Sequence, residues 1–313
     1  MNDNIIKQFK RNVNTTKKKT NSKKSHSKQT NSKKTNSKKS HSKQTNSKQT
    51  NSKKSHFNND LKKEYGKMMN KRKVINYQTL NNKNISLNNK NKSFVIIVPY
   101  RDDKKHLRKK HLDEFIKVIP KLFSKLDNKF KILIVEQNNK DNRFNRGSLL
   151  NIGFDICKDN FEYFIFHDVD LIPNNELIPY YGIYPSKPIH LANVWKKYSV
   201  GGKYFGGVNS FNRKDFIKVN GYPNNYWGWG GEDDELYDRV SDSNLKVLIP
   251  NKGKYSEMKH NKPTNQQKLP FNQKMRLRLQ HKDWKKNGLN NLKYEVSHTK
   301  KLNKDASLVS VKF

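Results

Sequence analysis

The sequence predicts a single α/β domain with a mostly parallel central sheet, preceded by a disordered basic N-terminal arm. Short apolar runs of strand length alternate with segments whose apolar residues recur at helical intervals, which is the pattern of βαβ units. The composition also changes abruptly at Ser93, where a region rich in lysine and asparagine gives way to FVIIVPY. We therefore expect an arm over residues 1–56, a linker or edge helix over 57–92, and the folded domain over 93–313.

The arm consists mainly of a repeated polar unit. From Thr20 to Lys54 a five-residue unit recurs seven times, with no aliphatic or aromatic residue in any copy. Such a segment buries nothing that could offset the entropy of ordering, so we expect disorder. The chain has 66 basic and 27 acidic residues, and about 26 of the basic but only 3 of the acidic ones precede Ser93. The arm is therefore either a polyanion contact, for nucleic acid, anionic membrane or acidic glycan, or a solvated tail.

Five elements are predicted after Ser93. FVIIVPY is a continuous apolar run of strand length, as expected for a buried parallel strand. A segment of helical periodicity and a second apolar run, FKILIVEQ, complete a βαβ unit, and another helix and strand follow. The predicted elements are the strand Phe94–Tyr100, the helix His106–Leu126, the strand Phe130–Gln137, the helix Ser148–Cys157 and the strand Tyr163–Phe166.

Two carboxylates follow the third predicted strand. Asp168 and Asp170 flank one residue, so in an extended chain they point to the same side and can share a divalent cation. Parallel sheets bind ligands at the carboxyl ends of their strands, which is where this pair lies. The alternative is a polar turn that merely ends the strand.

An acidic cluster follows a loop rich in glycine and tryptophan. In PNNYWGWGGEDDELYDR (Pro223–Arg239), four consecutive carboxylates begin the next predicted helix. Exposed tryptophan faces suit sugar rings, glycines suit a moving lid, and a carboxylate among other carboxylates can act as a base. The alternative is a helix cap behind a glycine turn.

Cysteine usage and hydropathy bear on the compartment. Cys157 is the only cysteine, which excludes an intramolecular disulfide and fits a reducing compartment. The sequence has no run of about 18 apolar residues, and Met1–Lys10 lacks the apolar core of a signal peptide. We therefore expect no transmembrane segment and a location that is cytoplasmic or associated with a virion or viral factory.

Six motifs together resemble the β-1,4-galactosyltransferase family. They are VPYRDD, FNRGSLLNIGF, FHDVDLIP, YFGGVNSF, NGYPNNYWGWGGEDDEL and NGLNNLKYEV, in the order and approximate spacing of that family. The resemblance covers about Phe94–Val296 and leaves out the N-terminal repeats, the usual signal anchor and the family's luminal cysteines. It implies a Rossmann-like domain of the GT-A type that moves a sugar from a UDP-sugar donor.

The resemblance also implies a donor site. Tyr204 would restrict the donor to galactose over its N-acetylated relative, and Trp229 would close on the donor as a lid. Asp103 stands where the family often has a second arginine, which removes one expected phosphate contact. For Phe144, packing in the core is the alternative. The implied donor-binding residues are Pro99, Arg101, Phe144, Arg146, Asp168, Tyr204 and Trp229.

The catalytic and acceptor-binding residues would come from the acidic cluster. The resemblance assigns the catalytic base to Asp233, in agreement with the separate interpretation of the cluster as a source of a base. It assigns acceptor binding to Glu232 and Asp234, and Phe271 is a further candidate for that role. Glucose, N-acetylglucosamine, xylose and a glycan on protein all fit as acceptors.

Metal ligands are expected from two places in the chain. Asp170 and His260 are implied by the resemblance, with Met258 as the third candidate. The family has Met-x-x-His or His-x-His here, whereas this chain has Met-x-His and carries Glu257 where the longer spacing would put methionine. A shell of oxygen, nitrogen and thioether with a diphosphate suits Mn²⁺, with Mg²⁺ or Co²⁺ as alternatives.

The predicted function is that of an inverting glycosyltransferase that moves galactose or a related hexose from a UDP-sugar to a sugar hydroxyl, forming a β linkage. The alternative is a basic nucleic-acid or virion-associated binding protein whose transferase-like domain is inactive or only recognises glycans. The acidic cluster argues against nucleic acid at the domain itself, because carboxylates repel phosphate.

Overall fold

A computed structural model describes residues 46–80, 92–103, 106–139, 143–195, 199 and 204–313 of the chain. Most of the pentad repeats lie outside these residues, and so do the predicted disorder and polyanion contact of the arm. The helices are α1 (Asn46–Asn70), α2 (Arg108–Phe123), α3 (Arg146–Cys157), α4 (Ile178–Tyr181), α5 (Arg213–Lys218), α6 (Glu232–Asp242) and α7 (Phe271–Leu279). The strands are β1 (Tyr77–Thr79), β2 (Phe94–Tyr100), β3 (Phe130–Gln137), β4 (Tyr163–His167), β5 (Leu171–Pro173), β6 (Ile189–His190), β7 (Val208–Asn212), β8 (Val247–Ile249), β9 (Tyr255–Glu257), β10 (Glu295–Lys301) and β11 (Ala306–Lys312).

Nine of the described strands form one mixed sheet in the order β1-β8-β6-β7-β4-β2-β3-β11-β10. Its centre is parallel, because β2 pairs in parallel with both β3 and β4, and β3 pairs in parallel with β11. The strand β7 runs antiparallel to both of its neighbours, β4 and β6. The predicted α/β fold with a mostly parallel central sheet is confirmed.

The sheet is buried on both faces, which explains the continuous apolar runs. Along β2, Phe94, Ile96 and Val98 pack in the cluster that includes buried residues of α2. The alternate residues Val95 and Ile97 pack in a second cluster that includes α3. A strand covered on both faces has no polar side, so it shows no period-two pattern in the sequence.

The helix α3 begins two residues before its predicted start because Asn145 caps it. The Asn145 side chain accepts a hydrogen bond from the Ser148 N–H at 3.0 Å. Gly153 lets this helix approach the sheet, since a Cβ there would overlap the Ile97 side chain. The cap therefore places Arg146 in the first turn, beside the carboxyl ends of the central strands.

The first described helix lies against the last one. The helix α1 begins inside the range expected for the arm, and it packs on α7. Beyond its end, Arg72 forms an ion pair with Asp238 (Nε to Oδ1, 2.6 Å), and the Ile75 N–H donates to the Tyr237 hydroxyl at 2.9 Å. The segment before Ser93 therefore contributes contacts to α6, and the boundary at 93 stays a prediction.

Candidate active site

The carboxyl ends of β2 and β4 and the start of α3 meet at one edge of the sheet. Arg101 directly follows β2, and its guanidinium carbon lies 5.6 Å from the centre of the Phe144 ring. Pro99 lies within β2, opposite Val135 of β3. Burial is the main reason that the pKa of Arg101 is lowered from its ordinary value. The sequence placed these residues near one another, and the structure brings them together.

Arg146 connects the carboxylate pair to the acidic cluster. Its Nε donates to Asp168 Oδ1 at 2.7 Å, and its Nη2 donates to the Gly207 carbonyl at 3.4 Å. Its Nη1 lies 3.6 Å from Glu232 Oε1, and no hydrogen-bond partner for this buried nitrogen occurs among the described residues. Burial raises the pKa of Asp168 despite the nearby guanidinium. An unsatisfied buried donor here suits an anionic or polar ligand.

Asp170, Glu257 and His260 form a compact group. Each offers one ligand atom, and these atoms all lie within 4.8 Å of one another. His260 Nε2 is 3.4 Å from Asp170 Oδ2 and 3.5 Å from Glu257 Oε1. Two carboxylate oxygens and an imidazole nitrogen are the donor set that a divalent cation such as Mn²⁺ or Mg²⁺ accepts, so these residues fit a metal.

A small antiparallel sheet holds this group in place. The strand β5 pairs with β9 so that Leu171 lies opposite Glu257, and the Met258 N–H donates to the Asp170 carbonyl at 2.8 Å. Met258 is thus adjacent to the group through its backbone, and its predicted role as a metal ligand stays a prediction. The register of two short strands is what brings Glu257 to Asp170.

Tyr204 and Asp233 lie beside each other at Gly206. A Cβ at Gly206 would collide with the Tyr204 hydroxyl and would lie 2.7 Å from Asp233 Oδ2. The other oxygen, Asp233 Oδ1, accepts the N–H of Asp234 at 2.9 Å. The glycine therefore allows the tyrosine and the carboxylate to approach the same space from two segments that are distant in sequence.

The four carboxylates of α6 have different partners. Burial, and then the charge of Asp233, raises the pKa of Glu232 to about 8. Asp234 Oδ2 forms an ion pair with Lys274 Nζ at 2.6 Å. Glu235 points into the protein, where Arg278 Nη1 donates to it at 2.9 Å. The cluster is thus divided between a polar site and the core.

The glycine-rich loop before α6 carries one exposed tryptophan. Gly228, Gly230 and Gly231 have φ angles of 114°, 102° and 108°, a region that side chains disfavour. Trp229 is 66% exposed, and its backbone N–H donates to the Gln267 carbonyl at 2.8 Å. Trp227 instead stacks on Phe313, with ring centroids 5.4 Å apart. Trp229 thus faces solvent from a loop that glycines shape.

Phe271 begins α7 on the same side as the ion pair of Asp234. It is 59% exposed, and its ring contacts the Tyr65 ring edge-on with centroids 6.2 Å apart. Lys274, one turn later, is the partner of Asp234. An exposed aromatic face near a carboxylate is a surface on which a sugar ring can stack, and Tyr65 adds a contact that the sequence did not predict.

Two family models match the chain. The model described as the N-terminal region of glycosyl transferase group 7 matches residues 45–182, and the model described as the N-terminal domain of galactosyltransferase matches residues 187–261. Beta-1,4-galactosyltransferase 4 of Cricetulus griseus is 36% identical over 214 residues, which are 64% of this chain and 58% of that protein. Beta-1,4-galactosyltransferase 1 of Bos taurus is 34% identical over 182 residues, which are 56% of this chain and 43% of that protein. The chain spans about half the length of these curated relatives.

Solved structures give the same result for the fold. The catalytic domain of Drosophila beta1,4galactosyltransferase 7 in complex with xylobiose has a TM-score of 0.61 and 30% identity, covering 71% of this chain and 94% of that one. A mutant of that enzyme in complex with manganese, UDP-Gal and xylobiose has a TM-score of 0.56 and 27% identity, with the same coverage. The predicted GT-A fold is therefore confirmed.

The expected cytoplasmic or virion-associated location is wrong. The galactosyltransferases that the chain resembles are membrane-resident enzymes of the Golgi. A polar N-terminus and a single, buried cysteine are therefore not sufficient to predict the compartment of this chain. None of the helices in the described part of the chain is both long enough and apolar enough to cross a bilayer.

Proposed function

Because the chain belongs to the β-1,4-galactosyltransferase family, we propose that it transfers galactose from UDP-galactose to a hydroxyl group of an acceptor sugar. One observation carries the proposal. The group Asp170, Glu257 and His260 and the pair Tyr204 and Asp233 lie at one edge of the sheet, and Arg146 connects the two regions through Asp168 and Glu232. A metal-binding group beside a buried carboxylate is the arrangement that this transfer requires.

The donor is held by residues at the ends of β2 and β4. Arg101 and Phe144 contact each other and form a cationic and aromatic surface for the nucleotide, beside the backbone of Pro99. Asp168 and the unsatisfied Nη1 of Arg146 bind the sugar or its phosphates. Trp229 closes over the donor from its exposed position in the glycine-rich loop.

The cation is held by Asp170, His260 and Glu257. Manganese is present in the complex of the Drosophila relative, and at these residues a divalent cation would supply the positive charge that stabilises the departing diphosphate. Mg²⁺ and Co²⁺ are the alternatives, and a carboxylate in place of a thioether makes the donor set harder, which favours Mg²⁺. Met258, whose backbone bonds to Asp170, is the alternative third ligand.

Asp233 acts as the base. Its Oδ2 takes the proton of the acceptor hydroxyl as the hydroxyl oxygen bonds to the anomeric carbon, and the bond from that carbon to the diphosphate breaks on the opposite face. One displacement inverts the configuration, so an α-linked donor gives a β linkage. No covalent intermediate with the protein forms. The raised pKa of Glu232 keeps a proton on that carboxyl near neutral pH, so Glu232 donates a hydrogen bond to the acceptor.

The acceptor lies between α6 and α7. Glu232 and Asp234 bind its hydroxyl groups, and the exposed ring of Phe271 stacks on it. The Drosophila relative was crystallised with xylobiose, which supports a sugar acceptor with equatorial hydroxyl groups. The acceptor of this chain is therefore a free or conjugated sugar.

A donor and acceptor screen tests the proposed function. The purified full chain is incubated with Mn²⁺, several UDP-sugars and a panel of glucose, xylose and N-acetylglucosamine acceptors. UDP-galactose should be the preferred donor, and Tyr204→Leu should admit UDP-N-acetylgalactosamine because it removes bulk beside Gly206. A parent chain that neither transfers a sugar nor hydrolyses any UDP-sugar would instead support the binding-protein alternative.

The polyanion contact of the arm is a separate part of the proposal. The net charge of +39 is concentrated before Ser93, which supports salt-dependent retention on heparin. Deletion of residues 1–45 should weaken that retention and leave turnover on a small acceptor almost unchanged. Equal retention of the full and shortened chains would place the basic contact after residue 45.

A further inference from the structure

An arginine side chain contacts the group of residues that would bind the metal. Arg108, in the first turn of α2, donates from Nη1 to Asp170 Oδ2 at 2.7 Å. The same oxygen lies 3.4 Å from His260 Nε2. The Arg108 side chain is 27% exposed, so it is neither locked in the core nor fully solvated. Burial by itself would raise the pKa of the Asp170 carboxyl. The positive charge of Arg108 is the largest influence in the other direction, and the pKa of Asp170 is lowered from its ordinary value.

Two other arginines of this region are partly engaged: Arg101 lies against the Phe144 ring, and Arg146 keeps only its Nη1 without a hydrogen-bond partner among the described residues. Arg146 bonds to Asp168 and to the Gly207 carbonyl. At the end of β2, where the resemblance expects a second arginine, stands Asp103. Its Oδ2 accepts from Gln267 Nε2 at 3.0 Å and lies 2.9 Å from His106 Nδ1. One expected phosphate contact is therefore missing there, and Arg108 is the cation at Asp170 that can replace it.

A divalent cation at Asp170 and the Arg108 guanidinium compete for one carboxylate oxygen. Two positive charges a few ångströms apart repel each other in a partly buried site. Once the cation is bound, Arg108 therefore has to leave Asp170. A diphosphate bound to the cation presents oxygens close by, and guanidinium groups bind phosphate oxygens through paired, charge-assisted hydrogen bonds.

We propose that Arg108 is a diphosphate-binding residue that pairs with Asp170 in the metal-free protein and moves to the donor phosphates when the cation binds. This inference rests on the proposed function. It implies that Arg108 opposes binding of the cation alone and favours binding of the cation together with the nucleotide. Cation and nucleotide are then thermodynamically coupled through one side chain, and the coupling is reciprocal.

Binding measurements on the full chain test this exchange. The signal of free Mn²⁺ in electron paramagnetic resonance gives its Kd with and without UDP, and calorimetry gives the Kd of UDP at saturating Mn²⁺. In Arg108→Ala, Mn²⁺ alone should bind about fivefold more tightly, and UDP should bind about tenfold more weakly. Arg108→Lys should lie between parent and Arg108→Ala, because it keeps the charge without the paired geometry.

Lys109→Ala is the matched control. Lys109 is the next residue in the same turn, is exposed, and pairs with Asp113 instead of Asp170. The Lys109→Ala substitution removes one positive charge from the helix, as Arg108→Ala does, and should leave both dissociation constants within about twofold of the parent. Opposite changes in the two constants for Arg108→Ala alone support the inference, because a merely structural residue would weaken both.

Three results would overturn the proposed role of Arg108. They are unchanged constants in Arg108→Ala, weaker binding of both Mn²⁺ and UDP in that variant, and equal effects of Lys109→Ala and Arg108→Ala. A parent chain that binds neither Mn²⁺ nor UDP overturns the proposed function and this inference together. A parent that binds both, with an Arg108→Ala variant that behaves identically, overturns the inference alone.

Discussion

Four consecutive carboxylates at the start of α6 have four different environments. Glu235 contacts buried arginines and belongs to the core. Asp234 is paired with Lys274, and Glu232 is buried near Arg146 with a raised pKa. Asp233 alone directs an oxygen toward Gly206 and Tyr204. The surroundings of the four carboxylates therefore differ in a way that is consistent with separate roles, and the role of Asp233 as the base stays a proposal.

The first prediction concerns the third metal ligand. Glu257→Met should weaken Mg²⁺ binding to the metal-free protein about tenfold or more and Mn²⁺ binding less, because a thioether is a poor ligand for Mg²⁺. Met258→Leu is the control and should leave both affinities within about twofold. Calorimetric titration of each cation measures this. Weakened binding in Met258→Leu with normal binding in Glu257→Met would assign the position to the thioether.

A second prediction follows from the raised pKa of Glu232. In the folded protein this pKa is about 8, against an ordinary value of 4.5. Between these two values the folded protein keeps the proton and the unfolded chain releases it. Its contribution to stability is fully present below pH 4.5 and is lost as the pH rises through 8. Glu232→Gln, which stays neutral, should therefore gain stability relative to the parent between pH 5 and pH 8.

Urea unfolding of the metal-free proteins at several pH values measures this difference. The free energy of unfolding of Glu232→Gln minus that of the parent should increase steadily over the interval. A difference that does not depend on pH would mean that Glu232 is ionised in the folded protein, with Arg146 as its counter-ion.

Among the contacts that join α1 and the segment after it to the rest of the domain is one buried ion pair with α6. Arg72 is 4% exposed and bonds to Asp238, whereas the next residue, Lys73, is 64% exposed and lies 3.7 Å from Asp242. Arg72→Ala should lower the free energy of unfolding by about 1.5–3 kcal/mol, the range for hydrogen bonds to charged groups. Lys73→Ala should change it by less than about 1 kcal/mol. Equal effects in urea unfolding would show that the buried ion pair contributes no more stability than the exposed charge of Lys73.

The central elements could be predicted from the sequence, whereas the short ones could not. The strands β2, β3 and β4 are continuous apolar runs because they are covered on both faces. The strands β5 and β9 have three residues each and mixed burial, so no local periodicity marks them. Their pairing is a long-range register, and it alone brings Glu257 to Asp170. Local sequence therefore singles out Asp168 and Asp170, which follow an apolar strand, but carries no comparable signal for Glu257.

The candidate site combines segments that are distant from one another in the chain. Arg101 follows β2, Arg146 begins α3, Asp168 and Asp170 follow β4, Tyr204 precedes β7, Asp233 lies in the first turn of α6, and Glu257 and His260 lie at and just beyond the end of β9. The parallel topology brings the carboxyl ends of strands to one edge, which explains why the location of the site could be predicted before its contacts. The compartment could not be predicted, because the fold of a domain does not determine where the cell delivers it.

The central claim is that Asp233 removes the acceptor proton in a metal-dependent galactosyl transfer. The most direct test is transfer from UDP-galactose by the parent chain and by Asp233→Asn at equal Mn²⁺ concentration, with UDP binding measured in parallel. The variant keeps the shape of the side chain but accepts no proton, so transfer should fall by about 10²- to 10⁴-fold while UDP binding stays within about twofold. Transfer by Asp233→Asn at a rate close to that of the parent would contradict the account.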